Sequence, residues 1–506
     1  MIIVLFVLSI KLTILFLILI SIFLLLTQIV YLKLKYLHNK KNKNVKTVSF
    51  VHPFCSDCGG GEKVLWRMIS SLISPPPNLN ITNIFQNMPK IKINIISGKE
   101  DNIEELNKRL KERFNIVIPS NSNFNSNFNQ NRTSNNPILD IEIITLRSGY
   151  MLRPQNFGTM FFQILGQIYF AYEIITKVYS DVYCDTTGIP FTYFVLKYLG
   201  HAKVTTYTHY PFISNEMIDQ VKHNISGVHS RGYLSKFKFI KEMKLIYYKL
   251  ILDLYGFMGN KCLSFAYVNS TWTFNHLKLI WNDLSKKDNL KILYPPCSTS
   301  VYRVAAENQQ RKNIIVSFAQ FRPEKRQDLQ IQIFQKLKEN LKKYNGFDDL
   351  ELHIIGGVRN NSDQEILDNL VKFTKQLGLE NSVKFLKNGT TEQIIQEFSQ
   401  AKIGLHTMVG EHFGITLIEM MSAGLILVTH NSAGAKDDII VASDGNCKPG
   451  YLVENENDYV NQIEEILLRY NEIKNFVVEA SRRKAEQFSD ENFDLVFLGN
   501  LYKFIL

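Results

Sequence analysis

The chain has 506 residues and a net charge of +11. This length is too great for one hydrophobic core, so we expect two domains of ordinary size with accessory segments. A basic surplus of this size could serve nucleic acid or an anionic membrane surface, but no nucleic-acid reading motif is present and the basic residues cluster beside apolar stretches. Nucleic-acid binding is therefore not expected.

The chain begins with an apolar segment, Met1 to Leu32. Thr13 to Leu32 alone would cover roughly 30 Å as a helix, which is the thickness of a bilayer core, and no cleavage site of a signal peptide follows. Six lysines come after it by residue 46. We therefore predict that residues 1–46 form a single N-terminal membrane span with a basic juxtamembrane segment, and that the rest of the chain is cytosolic. The few, scattered cysteines also suit a reducing compartment.

A first set of strands is predicted within residues 47–296. The strand from Thr47 to His52 leads into a glycine loop, Gly59 to Gly61, and a helix from Glu62 to Ile73. Such a loop can hold phosphate on bare N–H groups, although three glycines can equally form a flexible turn, and the loop lacks the Gly-Lys-Ser/Thr ending of nucleoside-triphosphate sites. A low-complexity tract from Ser120 to Asn136 is predicted to be disordered. The other predicted strands are Lys92 to Ser97, Ile138 to Leu146, Asp181 to Cys184 and Ala202 to Thr208.

Three features of this first domain have competing interpretations. Cys55 and Cys58 could form a redox or zinc pair, but no second pair with ligand spacing exists, so no metal site is predicted. The segments Phe157 to Tyr179 and Tyr233 to Leu252 are apolar and aromatic, and the second also carries lysines. Each is either a membrane-surface helix or an ordinary helix packed on the sheet. Neither is expected to span a membrane, because charged or polar residues interrupt both.

A second parallel set of strands is predicted over residues 313–472, after a polar linker at 297–312. Its members are Asn313 to Ser317, Glu351 to Ile355, Ser382 to Phe385, Lys402 to Leu405 and Leu425 to Thr429. The alternation of strands and helices predicts an α/β protein with two doubly wound domains. Residues 473–506 are predicted to close the chain as C-terminal helices.

The most informative motif lies in this second domain, where Glu411 and Glu419 are bracketed by Gly410 and Gly414. On a helix predicted from Phe413 to Ser422, an offset of eight residues corresponds to roughly 12 Å, so both carboxylates could face one ligand. A nucleotide sugar would suit them, because its diphosphate can meet the free N–H groups of a helix N-terminus. Glutamates so spaced also occur on solvated helix faces, but here the motif follows a buried strand, where open parallel sheets bind ligands.

Taken together, these segments resemble the retaining GT-B glycosyltransferases, in which two Rossmann-like domains hold a nucleotide sugar between them. The resemblance covers most of Thr47 to Phe488. It is carried by Glu411 and Glu419, by Phe321 to Lys325 and by Gly59 to Gly61. The chain is similar, more closely, to the family of endoplasmic-reticulum mannosyltransferases of N-glycan precursor synthesis. That likeness lies in the N-terminal anchor and in Cys55 to Trp66, Tyr207 to Pro211 and Gln320 to Arg326.

This resemblance implies an activity and its partners. Two α-1,2-linked mannoses would be added from GDP-mannose to dolichol-pyrophosphate-linked Man3GlcNAc2, on the cytosolic face of the endoplasmic reticulum membrane. Residues 47–296 would form the acceptor side and residues 313–472 the nucleotide-sugar side. Beyond the donor substrate no cofactor is expected, and no metal, since no Asp-x-Asp run lies at a strand end near the cleft. Association with other mannosyltransferases of the same membrane is left open.

The resemblance also implies roles for individual residues. Glu411 would contact mannose hydroxyls and steady positive charge at the anomeric carbon, His209 would face the donor sugar, and Lys325 would hold the diphosphate; these are the catalytic candidates. Glu419 would bind the donor ribose. At the position where the wider family commonly has an arginine, this chain has Gln320. Arg322 is the candidate that would replace that arginine. The complete set of donor-binding candidates is Gly59, Gly60, Gly61, Arg322, Lys325, Phe413, Gly414, Ile415, Thr416 and Glu419.

Several alternatives remain open on sequence grounds. His209 could be a core histidine that is hydrogen-bonded to the backbone. The chain could be another membrane-bound GT-B enzyme acting on phosphatidylinositol or sterol acceptors, or a non-catalytic, membrane-tethered partner of a transferase. A nucleotide-sugar isomerase shares the architecture but would need no membrane anchor. Retention by front-side attack is expected from analogy alone.

Overall fold

The computed structural model describes most of the chain. The described residues are 21–22, 24–40, 45–76, 88–100, 102–118, 138–153, 159–213, 217–219, 222, 238–305, 310–442 and 447–505. The tract Ser120 to Asn136 and most of the apolar segment Met1 to Leu32 lie outside them. Within the described part of the chain, no helix is both long enough and apolar enough to cross a membrane.

The N-terminal lobe is built on a seven-stranded parallel sheet in the order β3-β2-β1-β4-β5-β6-β7. Its strands are β1 (Val45–Val51), β2 (Lys90–Ser97), β3 (Ile138–Thr145), β4 (Val182–Asp185), β5 (Lys203–Thr208), β6 (Phe265–Val268) and β7 (Leu290–Ile292). Its helices are α1 (24–40), α2 (Gly60–Ile73), α3 (Ile103–Phe114), α4 (Thr159–Lys177), α5 (Lys238–Phe257), α6 (Thr271–Ile280) and α7 (Asn282–Lys286). Hydrophobic clusters fill both faces of this sheet, as a buried parallel sheet requires.

The C-terminal lobe has a six-stranded parallel sheet in the order β10-β9-β8-β11-β12-β13. Its strands are β8 (Ile314–Phe318), β9 (Glu351–Gly356), β10 (Val383–Lys387), β11 (Ile403–His406), β12 (Ile426–His430) and β13 (Gly450–Val453). The helices of the remaining chain are α8 (Thr299–Ala305), α9 (Gln327–Leu341), α10 (Asn361–Gln376), α11 (Thr391–Gln400), α12 (Ile415–Ser422), α13 (Glu456–Leu468), α14 (Tyr470–Glu486), α15 (Asp490–Gly499) and α16 (Leu501–Phe504). The prediction of two doubly wound domains is confirmed.

Two parts of the predicted organisation look different in the structure. The polar linker predicted at 297–312 contains a short helix, α8. The C-terminal segment 473–506 is divided between the lobes, because α14 packs on the C-terminal lobe whereas α15 and α16 pack on the N-terminal lobe. The chain crosses between the lobes twice, and the crossings are hydrogen-bonded side by side: Cys297 N donates to Phe488 O (3.0 Å) and Asp490 N donates to Cys297 O (3.1 Å).

The returning helix α15 is attached to α2 by a buried ion pair. Arg67 donates to Asp494 through Nε (2.9 Å) and Nη2 (2.5 Å), and the Ser71 hydroxyl donates to the same carboxylate (2.5 Å). Asp494 is only 1% exposed. A carboxylate buried to this extent needs such partners, so the pair fixes how the C-terminal end of the chain lies on the N-terminal lobe.

We expect Asp494→Ala to lower the free energy of unfolding by about 2 kcal/mol, because it leaves the half-buried Arg67 guanidinium with only Asp490, 3.8 Å away, and the Ser71 hydroxyl without its carboxylate acceptor. Urea denaturation of the full chain in detergent measures this. Glu491→Ala, at an exposed site on the same helix, is the matched control and should change stability little. Equal stability of the two variants would contradict the importance of this ion pair.

Candidate active site

The two sheets turn their carboxyl ends toward each other where the lobes meet. The glycine loop after β1 lies against the C-terminal lobe: a Cβ on Gly60 would be 3.2 Å from Ile415 Cδ1, and one on Gly59 would be 2.5 Å from a guanidinium nitrogen of Arg359. Tyr210, after β5, packs against His412, after β11, with ring centroids 4.6 Å apart and the ring planes tilted by 47°. The loops that follow the strands therefore form one interlobe site, as expected for doubly wound folds.

At the centre of this site, Lys325 and Glu411 form an ion pair. Lys325 Nζ is 2.5 Å from Glu411 Oε2, and His406 Nε2 is 3.2 Å from the same oxygen. Burial would raise the pKa of the Glu411 carboxyl, but His406 and the Lys325 cation outweigh it and hold that pKa well below its usual range. Glu411 is therefore an anion at neutral pH, with a fixed cation beside it. The resemblance placed both residues at the donor, on the sugar and on the diphosphate, and the structure brings them into direct contact.

The expected helix start at Phe413 is wrong, since α12 begins at Ile415. Glu411 precedes both the predicted and the observed start and lies in the loop, and only Glu419 lies on the helix, so the argument from eight residues of helical rise does not apply. The physical reason is the turn: Gly410 and Gly414 have φ values of 74° and 99°, which favour glycine and interrupt a helix.

Glu419 is buried and faces a cation from the other lobe. Lys63 Nζ, on α2, is 3.7 Å from Glu419 Oε1 and donates to Ser298 Oγ at 2.9 Å. Burial raises the pKa of the Glu419 carboxyl, and the Lys63 charge opposes that rise. Glu411 and Glu419 thus each have a lysine partner, one from within the C-terminal lobe and one from across the junction.

His209 combines the two interpretations that the sequence left open. Its Nε2 lies 3.1 Å from the Thr186 carbonyl oxygen, which is the backbone hydrogen bond of a structural histidine. The ring also lies against the glycine loop, because a Cβ on Gly61 would be 3.4 Å from Nε2. Burial, with the nearby charge of His52, lowers the pKa of His209 to about 4. The ring is therefore neutral at pH 7.

The glycine loop is held by a network that sequence reasoning missed. Gly59 N donates to Glu62 Oε2 (2.6 Å), whose other oxygen is 3.4 Å from His52 Nε2, and His52 Nδ1 is 2.9 Å from Thr186 Oγ1. Burial opposes ionisation of Glu62, but these hydrogen bonds lower its pKa to about 2. The helix α2 was predicted to begin at Glu62, but it begins at Gly60, so part of the glycine loop is the N-terminus of the helix. The N–H of Gly59 donates to Glu62. A glutamate three residues after the first glycine of the loop is the sequence signal that could have predicted this contact, because a Glu at that position accepts from the N-cap N–H.

The two arginines near the site differ in position. Arg322 is partly exposed, lies 3.9 Å from Glu324, and lines a cavity of about 340 Å³ with Ile366 and Phe373 of α10. Arg359, by contrast, places its guanidinium beside Gly59 in the junction. Sequence reasoning missed Arg359, which follows β9 without any recognisable motif.

Both lobes of the chain match known protein families. Residues 45–281 match the family model described as ALG11 mannosyltransferase N-terminus, and residues 300–484 match glycosyl transferases group 1. Among solved structures, Anabaena Alr3699/HepE in complex with UDP has a TM-score of 0.55 at 13% identity, covering 90% of this chain and 99% of that one. A glycosyltransferase from Rickettsia africae has a TM-score of 0.55 at 16% identity, covering 91% and 98%. Likeness at these identities concerns the fold alone. Fold and matched domain together define a GT-B glycosyltransferase.

Relatives with similar sequences narrow this class. A Homo sapiens protein named GDP-Man:Man(3)GlcNAc(2)-PP-Dol alpha-1,2-mannosyltransferase is 32% identical, covering 92% of this chain and 88% of its own length. The protein of the same name from Dictyostelium discoideum is 31% identical, covering 91% and 85%. The chain belongs to the ALG11 mannosyltransferase family.

We expect the stability of the protein to fall as the pH drops from about 6.5 to about 4, in part because of His209. In that window the unfolded histidine takes up a proton that the folded one does not, so protons favour unfolding. His209→Gln should flatten this part of the stability profile, measured by urea denaturation at several pH values. His201→Gln, at an exposed site, should keep the slope of the unchanged protein. A parallel profile for His209→Gln would show that this ring does not titrate as expected.

Proposed function

We propose that this protein adds two successive α-1,2-linked mannoses from GDP-mannose to dolichol-pyrophosphate-linked Man3GlcNAc2, in N-glycan precursor assembly. The donor, acceptor and linkage are those in the names of relatives that match the chain over nearly its whole length. The structural observation that carries the proposal is the Lys325–Glu411 ion pair at the interlobe junction. A carboxylate kept ionised beside a fixed cation suits a reaction that separates a sugar cation from a diphosphate anion.

In this proposal the donor lies along the carboxyl ends of the C-terminal sheet. Glu419 binds the ribose. Lys325, the glycine loop and the N–H groups of Phe413, Gly414, Ile415 and Thr416 hold the diphosphate at the start of α12. Arg359 joins this set because its guanidinium lies beside Gly59. Arg322 is the weaker candidate of the two arginines, since its neighbours are on α10.

The proposed chemical step is departure of GDP as the mannose becomes oxocarbenium-like. Lys325 binds the growing negative charge of the leaving phosphate more strongly in the transition state than in the ground state, which lowers the barrier. Glu411 contacts the mannose hydroxyls and stabilises the positive charge at the anomeric carbon. The acceptor hydroxyl attacks from the face that the phosphate leaves, and the phosphate oxygen takes the proton, so the configuration is retained. His209 faces the sugar as a neutral hydrogen-bonding group. The mechanism is proposed to need no metal, because Lys325 and helix N–H groups supply the positive charge.

We further propose that the protein is held in the endoplasmic reticulum membrane by one N-terminal span, with both lobes in the cytosol. The support is the apolar sequence from Met1 to Phe23, followed by six lysines before residue 47. The predicted span does not reach Leu32, because Gln28 donates to the Leu199 carbonyl of the N-terminal lobe and Tyr31 is buried against Tyr179. The acceptor is lipid-linked, so an enzyme fixed to the same membrane meets it in two dimensions. The N-terminal lobe is then the acceptor side and the C-terminal lobe the donor side.

We expect the full chain in detergent, supplied with GDP-mannose and dolichol-linked Man3GlcNAc2, to yield a product longer by two mannoses. Mass spectrometry of the released oligosaccharide measures the increment, and linkage-specific α-1,2-mannosidase digestion should return the starting oligosaccharide. Retained activity in EDTA would support the metal-free mechanism. A product longer by one mannose, or transfer only from another nucleotide sugar, would refute the assignment.

Replacement of Glu411 and of Glu419 should cause different defects, one in turnover and one in GDP binding. Glu411→Ala should lower kcat by about a thousandfold while GDP binding is largely kept, because the lost group acts on the sugar. Glu419→Ala should weaken GDP binding by about tenfold to a hundredfold, because charged hydrogen bonds to the ribose are lost. Calorimetric GDP titration and steady-state kinetics separate the two effects. Glu380→Ala, at an exposed site on the same lobe, is the control. Equal defects in both variants would contradict these roles.

A further inference from the structure

Helix α4 turns an apolar face to the outside of the N-terminal lobe. Phe161, Phe162, Leu165, Ile168 and Tyr169 are between 42% and 52% exposed. Their spacing places them on one side of the helix. The opposite side is buried on the sheet. A helix on a water-facing surface would carry polar residues at these positions, so this face is built to meet something apolar.

Helix α5 has an outward apolar stripe of the same kind. Met243, Ile246, Leu250, Leu254 and Phe257 are between 40% and 65% exposed and recur every three or four residues. The helix also carries four lysines against one glutamate and one aspartate. An apolar stripe with a basic surplus is the composition of helices that lie in the surface of an anionic membrane.

These two helices and the turn between them form one continuous surface. Met160 and Ile164 of α4 and Leu245 and Tyr247 of α5 pack against the same hydrophobic core. At the other end of α5, the ring of Phe257 lies 6.3 Å from that of Phe194, which itself lies 4.9 Å from Tyr198. Phe194 and Tyr198 are 42% and 44% exposed. We call these exposed residues of α4, of α5 and of the turn at 194–199 the apolar face.

Helix α1 is docked beside this face. Thr27 and Tyr31 are buried, and the ring of Tyr31 lies 6.0 Å from Tyr179 and 5.7 Å from His201. Gln28 Nε2 donates to the carbonyl of Leu199, the last residue of the turn in the apolar face (3.0 Å). Hence α1 is fixed to the lobe through one side only, and its other sides expose Leu25, Leu26, Ile29 and Leu32.

We propose that the apolar face lies in the cytosolic surface of the lipid bilayer and that docked α1 fixes the angle at which the lobe meets the membrane. The occupant is lipid rather than a second copy or another protein for two reasons. The sequence before α1 is almost wholly apolar, and α1 itself is docked next to this face. The basic surplus of α5 matches anionic headgroups. The role of the apolar face rests on the proposed function: it would hold the cleft at a constant height above the membrane that contains the lipid-linked acceptor.

The test uses the full chain in phosphatidylcholine–phosphatidylserine vesicles that contain a phospholipid with a photoactivatable diazirine in its acyl chain. After illumination, mass spectrometry locates the labelled peptides. We expect label in 159–177 and 238–257 as well as in the N-terminal segment, and none in 361–376 on α10. Label confined to residues before 40, or crosslinks between two copies through α4 or α5, would overturn the proposal. Labelling requires no mannose transfer, so this result is independent of the proposed activity.

Variants connect the surface to lipid access. Ile246→Glu combined with Leu250→Glu should remove label from α5 and lower transfer to long-chain dolichol acceptor by about tenfold, while transfer to a water-soluble short-chain acceptor is unchanged. The matched control is Val371→Glu combined with Phe476→Glu, at exposed apolar sites of the C-terminal lobe, which should change neither. Tyr31→Ala should lower label on α5 because it undocks α1. Unchanged label in the α5 double variant, or equal loss with both acceptors, would refute the membrane role of this face. Unchanged label in Tyr31→Ala would refute the orienting role of α1.

Discussion

A carboxylate that is removed from water needs a cation or hydrogen-bond donors beside it, and in the interlobe site lysines meet that requirement. Glu411 meets it with Lys325 from the turn after β8, and Glu419 meets it with Lys63 from the other lobe. The first pair joins two loops of the C-terminal sheet, so it fixes their relative position. The second joins the lobes at the same place. These two ion pairs therefore fix the loops that form the site and hold the two lobes together at that point.

The neutral histidines complete this arrangement. His209 and His412 each have a pKa lowered to about 4, mainly by burial. The ring of His412 packs against Tyr210, and its centroid lies 4.8 Å from that of Trp272, so it takes part in the contact between lobes. With both rings neutral, the fixed positive charge near Glu411 comes from Lys325. Arg359, beside Gly59, is another fixed cation at this junction.

Much of this architecture could be predicted from the sequence, and the failures have physical causes. Long apolar runs identify strands such as Ile426–His430, because a parallel sheet is buried on both faces. The strands Phe265–Val268, Leu290–Ile292 and Gly450–Val453 were missed. They have only three or four residues, although the four-residue strands Val182–Asp185 and Ile403–His406 were predicted. The candidate Lys325 and Glu411 do meet, as the motif resemblance suggested. Lys63 and Arg359 were not foreseen, because their roles arise from contacts between segments far apart in the chain.

The crossings at Cys297 and Ser489 form a short parallel bridge between the lobes. Two adjacent connections held by hydrogen bonds resist sliding and stretching more than bending, so they favour a swing of the lobes about this seam. Ser298, next to Cys297, accepts from Lys63, which pairs with Glu419, so the seam adjoins the interlobe site. Glu419 therefore lies near the axis of such a swing, where the displacement of atoms is small.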